Sequence, residues 1–232
     1  MKKIEIYVEG GGDTAQQKAE LRNGLDQLLN TQKQAARDKR FRWKLVPSGG
    51  RDAAYKAFIN AVDYADAETQ CVLLVDSEDE VSPELPVVAG ETKEQASQRK
   101  LADAMTRRIH LQNRDHWDLA AISPECVHLI VRCMETWIVA DPDRMADIYG
   151  KDFHRQRLPD LPNLENEPKA VLYTKLAKAT EDTKKGEYSE ENNSKIKHAS
   201  KLLEKIRADR VAARCPRFAT FTRWLSEKIA EG

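Results

Sequence analysis

Residues 3–14 read KIEIYVEGGGDT, a short apolar stretch that ends in one carboxylate, runs through three glycines and meets a second carboxylate. Residues 3–8 alternate between polar and apolar side chains and then become wholly apolar, which predicts a β-strand. Residues 14–34 carry leucines at helical spacing, and Asp13 stands where a helix cap is expected. This stretch therefore predicts a strand, a tight glycine turn and a helix capped by Asp13.

The alternation of strands and helices continues to residue 75. Residues 41–46 (FRWKLV) predict a second strand, and residues 52–65 predict a second helix. Residues 71–75 (CVLLV) form a continuous apolar run, which is typical of a parallel strand that is covered on both faces. The order strand, helix, strand, helix, strand predicts an α/β fold with a doubly wound, mainly parallel sheet.

The later part of the chain is mainly helical. Residues 93–112 predict a charged helix, residues 126–131 (CVHLIV) a fourth buried strand, and METWIVAD, residues 134–141, the start of another helix. We therefore divide the chain into an α/β domain over residues 1–141 and a helical extension over residues 142–232, packed on the same core.

Composition limits the classes of protein that this chain can represent. Of its 232 residues, 41% are hydrophobic and 33% are charged, which suits a globular protein. Lysine plus arginine equals aspartate plus glutamate, 38 each, so the protein has no global field that attracts nucleic acid. The four cysteines form no CxxC pair, no run of about 18 apolar residues is present, and the chain begins with a strand rather than a signal peptide. These features predict a cytoplasmic protein without a membrane segment.

Acidic side chains follow two of the predicted strands at the point where each strand ends. Glu9 follows the first strand, whereas Asp76 ends the third and is followed at once by Ser77 and Glu78. If the sheet is parallel, these acids lie at the same edge, where ligands of such sheets bind. Converging carboxylates favour a hard cation such as Mg²⁺ or Mn²⁺. A metal would also let a substrate phosphate approach the glycine backbone at Gly10, Gly11 and Gly12.

Other candidate site residues each have a second interpretation. Asp13 is first a helix cap and only second a metal ligand. Glu135 lies among apolar residues and needs a partner, so it is a further metal ligand or general base, or a structural acid paired with an arginine such as Arg132. Lys169 and Lys195 are candidate phosphate contacts, and for each the alternative is a solvated helix face.

Several motifs resemble a known family. VEG at residues 8–10 and the Asp76-Ser77-Glu78 motif resemble the TOPRIM fold of topoisomerases, primases and related nucleases. METWIVAD, LPNLENEPKAVL (residues 161–172) and CPRFATFTRWL (residues 215–225) resemble more specifically the TOPRIM-like domain-of-unknown-function 4276 family. The resemblance covers nearly the whole chain. The second motif departs from the common pattern, because it is DxE rather than DxD and no glycine follows it closely.

The resemblance implies divalent-metal-dependent chemistry on phosphodiesters, with Glu9 as general acid or base and Asp76 with Glu78 holding Mg²⁺ or Mn²⁺. Family members are often encoded beside AAA or ABC-type ATPases in restriction and phage-defence loci, which implies an ATPase partner. We therefore expect a nuclease-like effector that acts with such an ATPase. The alternative is a non-catalytic module that binds the ATPase or nucleic acid. A P-loop is excluded, because Asp13 and Thr14 stand where GK[ST] is required.

Overall fold

The computed structural model describes residues 1–189 and 194–231, and only the backbone of residues 194–197. The described residues form one sheet with the strand order β2-β1-β3-β4, and every pairing is parallel. The α/β fold with a mainly parallel sheet is therefore confirmed, and the carboxyl ends of all four strands lie at one edge. The strands are β1 (Lys3–Val8), β2 (Arg42–Pro47), β3 (Thr69–Asp76) and β4 (Val127–Ile130).

The two faces of the sheet bury different apolar side chains, because successive side chains of a strand point to opposite faces. Both central strands, β1 and β3, divide their apolar residues between two separate hydrophobic clusters in this way. The prediction that the third strand is covered on both faces is confirmed. One cluster contains Ile4, Ile6, Val8, Val72 and Leu74, and the other contains Tyr7, Cys71, Leu73 and Val75.

The first predicted helix is in fact two helices. A single helix over residues 14–34 is wrong, because the backbone of Leu29 leaves the helical region (φ −97°, ψ 21°) while its side chain stays buried. The leucine spacing runs through this residue without interruption, so side-chain periodicity does not reveal the change of direction. The helices before β4 are α1 (Ala15–Leu28), α2 (Asn30–Asp38), α3 (Arg51–Asp63) and α4 (Lys93–Asp115).

The cap of α1 also differs from the prediction. Thr14, and not Asp13, is the N-cap: its hydroxyl accepts the backbone N–H of Gln17 at 3.2 Å, and the Gln17 side chain accepts the backbone N–H of Thr14 at 3.2 Å. This reciprocal pair satisfies two N–H groups that the first turn leaves without helical partners. Asp13 is exposed, one residue before the cap.

The helices after β4 cover one face of the sheet. Apolar side chains from these helices, including Leu172, Leu202 and Phe218, share a single cluster with Ile4 and Leu74 of the strands. The other face is covered by α3 and α4, through Phe58 and Leu111 among others. Within residues 1–189 and 194–231, no helix is long and apolar enough to cross a bilayer. The later helices are α5 (Glu135–Ile138), α6 (Pro142–Tyr149), α7 (Lys169–Thr180), α8 (Ser194–Lys205), α9 (Ala208–Arg214) and α10 (Pro216–Glu231).

Candidate metal centre

The ends of β1 and β3 lie side by side and bring their acids together. The parallel register pairs Val8 with Leu74, and the backbone N–H of Glu9 donates to the Leu74 carbonyl oxygen at 3.2 Å. Two residues further along β3, the N–H of Asp76 donates to the Glu9 carboxylate at 3.3 Å. The backbone of one strand end therefore orients the side chain of the other.

Glu9, Asp76 and Glu78 form a carboxylate cluster. Each offers one oxygen, and the three oxygens lie within 4.8 Å of one another. Asp76 is buried, whereas Glu9 and Glu78 are partly exposed. The sequence predicted this convergence, and all three acids come from the ends of neighbouring strands. Their hard, anionic oxygens are the ligands that Mg²⁺ and Mn²⁺ prefer, so the donor set fits such an ion.

Glu78 enters the cluster through an unusual backbone conformation. Its φ is +64°, in the left-handed region that residues with a side chain rarely adopt. Arg132, which follows β4, has φ +63°, and its carbonyl oxygen accepts the N–H of Glu78 at 3.0 Å. Two strand ends therefore hold Glu78 in a strained conformation, which is frequent at functional sites.

Arg51 is a member of the site that the sequence analysis missed. Its Nη1 donates to Glu9 Oε2 at 3.1 Å and to the backbone carbonyl oxygen of Asp76. Its Nε and Nη2 donate to the two carboxylate oxygens of Asp115 at 2.7 and 2.6 Å. The guanidinium also lies 5.0 Å from the Trp117 ring. Arg51 is the first residue of α3 and directly follows Gly49 and Gly50. This glycine turn after β2 was the only feature of the sequence that could have placed Arg51 near the site.

The surroundings of Glu9 influence its ionisation in opposite directions. Burial raises the pKa of the Glu9 carboxyl, while the Arg51 guanidinium lowers it, and the net shift is upward. The nearby Glu78 carboxylate raises the Glu9 pKa further, because like charges disfavour ionisation. A cation placed between these acids would offset both the cost of burying their charge and the repulsion between them.

Lys169 reaches the cluster from the helical half of the chain. It is the first residue of α7, and its Nζ lies 2.6 Å from Glu78 Oε2. Lys169 was predicted as a candidate phosphate contact, with a solvated helix face as the alternative, and in the structure it contacts one of the three acids. The side chain of Lys195, the other proposed phosphate contact, lies outside the described residues.

The glycine turn lines a cavity beside the cluster. Gly10, Gly11 and Gly12 all have positive φ, between +61° and +110°. A Cβ on Gly11 would lie 3.1 Å from both Pro47 and the backbone of Lys18, so that turn needs glycine for space as well as for conformation. The three glycines share with Glu9, Asp76 and Glu135 a cavity of about 180 Å³.

Glu135 is fully buried and faces the same cavity. Its partner is a tyrosine: the Tyr188 hydroxyl donates to Glu135 Oε1 at 2.7 Å. Burial and the Glu135 carboxylate raise the pKa of both Tyr188 and Tyr173. Of the alternatives for Glu135, a pairing with Arg132 is not what the structure shows, because the Arg132 guanidinium lies 3.5 Å from Glu80. Residue 188 is 53 positions away in a loop, so sequence spacing held no signal for this contact.

Asp13 does not join the carboxylates. It is exposed at the far side of the glycine turn, and the acids whose oxygens lie within 4.8 Å of one another are Glu9, Asp76 and Glu78. Among the candidates with described side chains, the structure thus gathers the three strand-end acids, the glycines, Glu135 and Lys169.

Comparison with known proteins gives a family and no function. No curated protein and no solved structure matches the chain significantly. Residues 8–226 match the family model described as a domain of unknown function, DUF4276. The matched residues include both strand ends that carry the acids, the start of α7 with Lys169, and most of α10. The chain therefore belongs to the DUF4276 family.

Proposed function

We propose that this protein is a TOPRIM-like, divalent-metal-dependent nuclease that cleaves phosphodiesters in nucleic acid and acts with an AAA or ABC-type ATPase in phage defence. The observation that carries the proposal is the convergence of Glu9, Asp76 and Glu78 within 4.8 Å at the carboxyl edge of a parallel sheet. Cytoplasmic localisation belongs to the same proposal and is supported by the four free cysteines.

The residues divide into metal ligands and proton carriers. Asp76 and Glu78 would hold Mg²⁺ or Mn²⁺, which supplies a Lewis acid for the phosphate oxygens. Glu9 would move a proton at its carboxylate, and its raised pKa suits that role because the group then exchanges protons nearer neutral pH. Glu135, on the wall of the cavity, is a second candidate for proton transfer.

The substrate phosphate would lie over the glycine turn. The backbone of Gly11 and Gly12 lines the cavity, so a phosphate can approach it closely without meeting a side chain. Lys169, which lies 2.6 Å from Glu78, would supply a positive charge for the same group. The acids alone would repel a polyanion, and the metal and this lysine convert the edge into one that attracts it.

The direct test is cleavage by the purified protein. Single- and double-stranded DNA and RNA are incubated with Mg²⁺, Mn²⁺ or EDTA, with and without the neighbouring ATPase. We expect metal-dependent cleavage that Glu9→Gln and Asp76→Asn abolish. The matched control is Glu68→Gln, because Glu68 is an exposed acid just before the opposite end of β3. Cleavage that persists in both site variants would contradict the assignment.

A non-catalytic module that binds the ATPase or nucleic acid is the second candidate. This candidate is favoured because two of the acids already have a positively charged side chain as partner and so need no metal ion. Arg51 lies 3.1 Å from Glu9, and Lys169 lies 2.6 Å from Glu78. The absence of cleavage under every condition, together with binding of the ATPase or of nucleic acid, would support this candidate instead.

A further inference from the structure

The lysine that neutralises Glu78 and the arginine that neutralises Glu9 are held very differently. Arg51 forms two hydrogen bonds to Asp115 and one to the Asp76 carbonyl in addition to its bond with Glu9, and its side chain is 15% exposed. Lys169 meets the cluster by a compact ammonium on a flexible stem, and its side chain is 26% exposed. The arginine is thus fixed from three sides, whereas the lysine reaches Glu78 with a flexible and partly exposed side chain.

We propose, on the basis of the proposed metal site, that Lys169 is an exchangeable internal counter-ion that a divalent ion displaces from Glu78. Its ammonium lies 2.6 Å from Oε2 of Glu78. An ion that takes Oε2 as a ligand must remove the ammonium. An ion that takes the other oxygen leaves a positive charge within a few ångströms of itself, which also opposes binding. Both geometries give the same sign: Lys169 weakens metal binding.

The displaced ammonium has a favourable position nearby. The Tyr173 ring lies one helical turn further along α7, and the Lys169 Nζ is already 6.0 Å from its centroid. A cation near an aromatic face is attracted to the ring. Lys169 would therefore stay beside Tyr173 after it leaves Glu78, and its charge would become available to a phosphate at the site. Metal binding and phosphate binding would then favour each other. The ion frees the Lys169 ammonium for the phosphate, and a phosphate that pairs with this ammonium frees Glu78 for the ion.

The test is the Mn²⁺ dissociation constant, measured by paramagnetic resonance titration at fixed pH and ionic strength. We expect Lys169→Met to bind Mn²⁺ about tenfold more tightly than the wild type, because one opposing charge is gone. Lys169→Arg, which keeps the charge, should stay within about threefold of the wild type. The matched control is Lys175→Met, because Lys175 lies on the same helix and pairs with Glu167 at 3.0 Å, away from the cluster.

Equal or weaker binding by Lys169→Met would overturn the inference. If that variant fails to fold, Lys169→Gln gives the same reading with a side chain that keeps hydrogen bonding. The proposed function can fail separately. Mn²⁺ binding that Asp76→Asn leaves unchanged would place the ion elsewhere and overturn both proposals. Binding that Asp76→Asn abolishes and Lys169→Met leaves unchanged would overturn only the role of the lysine.

Discussion

Two regions of this protein place acids beside arginines, and they differ in charge balance. One is the carboxylate cluster; the other is the Asp103 network, in which the Asp103 carboxylate of α4 accepts from both Arg107 and Arg217. Glu84 lies 3.8 Å from Arg217, so two acids meet two arginines in this network. Both arginines also donate to backbone carbonyls: Arg107 Nε to Val127 at 2.7 Å, and Arg217 Nη2 to Ser82 at 2.8 Å. The network joins α4, β4 and α10.

The carboxylate cluster is not balanced in this way. Counting Asp115, which is shared by Arg51 and Arg114, four acids meet two arginines and one lysine. One of the four, Glu78, also has a left-handed backbone. We infer from this contrast that the balanced network stabilises the fold, and we propose that the excess of acid beside a cavity is there to bind a ligand. Each of the following predictions tests that division, from the largest expected effect to the smallest.

Removal of Asp103 should destabilise the protein strongly. Asp103→Ala leaves two buried arginines without the acid that they share, so we expect the free energy of unfolding to fall by about 3–5 kcal/mol. Urea denaturation measures this change, and Gln98→Ala on the exposed face of the same helix is the control. Mn²⁺ affinity should not change. A loss below about 1 kcal/mol would show that the network does not hold the fold.

Stability should fall with rising pH because of Glu165. Burial raises the pKa of its carboxyl from 4.5 to about 8. The native state therefore holds this proton more tightly than the unfolded chain, and unfolding releases it between these two pKa values. The free energy of unfolding should decrease by a few kcal/mol from about pH 5 to pH 8 and then level off. In Glu165→Gln this decrease should be much smaller, with the remainder due to other carboxyls of raised pKa such as Glu9; a variant that retains the full slope would contradict the assignment.

Asp76→Asn should weaken metal binding without lowering the stability of the fold. We expect Mn²⁺ affinity to fall at least about 100-fold, because a buried anionic ligand is lost. The free energy of unfolding should stay the same or rise by up to about 1 kcal/mol, because repulsion among the acids is reduced. Calorimetric titration and urea denaturation measure the two quantities. A destabilisation as large as that of Asp103→Ala would remove the distinction between the two regions.

Backbone strain at Glu78 should produce the smallest effect. With φ at +64°, Glu78→Gly should be more stable than Glu78→Ala by about 1 kcal/mol, because only glycine adopts this conformation without strain. Both variants should lose Mn²⁺ affinity. Thermal unfolding of the pair provides the comparison. If alanine is as stable as glycine, the left-handed conformation is not maintained in solution.

The fold and the acids of the site could be predicted because they depend on local patterns. Alternation in β1 and the apolar run in β3 identify the strands, and parallel pairing then brings Glu9, Asp76 and Glu78 to one edge. The helix break at Leu29 was missed because the leucine spacing continues across it. The cap at Thr14 could have been predicted, since threonine followed three residues later by glutamine is a recognised signal for the start of a helix.

The partners of the acids could not be predicted, because they come from distant parts of the chain. Arg51 and Asp115 are 64 residues apart and meet only when α3 and α4 pack on the same face. Tyr188 reaches Glu135 from a loop 53 positions away. The charge of an acid is visible in the sequence, whereas the group that compensates it is set by tertiary packing.

The central claim is that the carboxylate cluster binds a divalent ion. Its most direct test is a crystal structure grown with Mn²⁺, in which the anomalous signal locates the ion. We expect one peak bound by oxygens of Asp76 and Glu78 and adjacent to the Glu9 carboxylate, at about 2.1 Å from its ligands, with the Lys169 ammonium moved away from Glu78. A well-ordered structure at saturating Mn²⁺ with no peak there, and with Lys169 still bound to Glu78, would contradict the account.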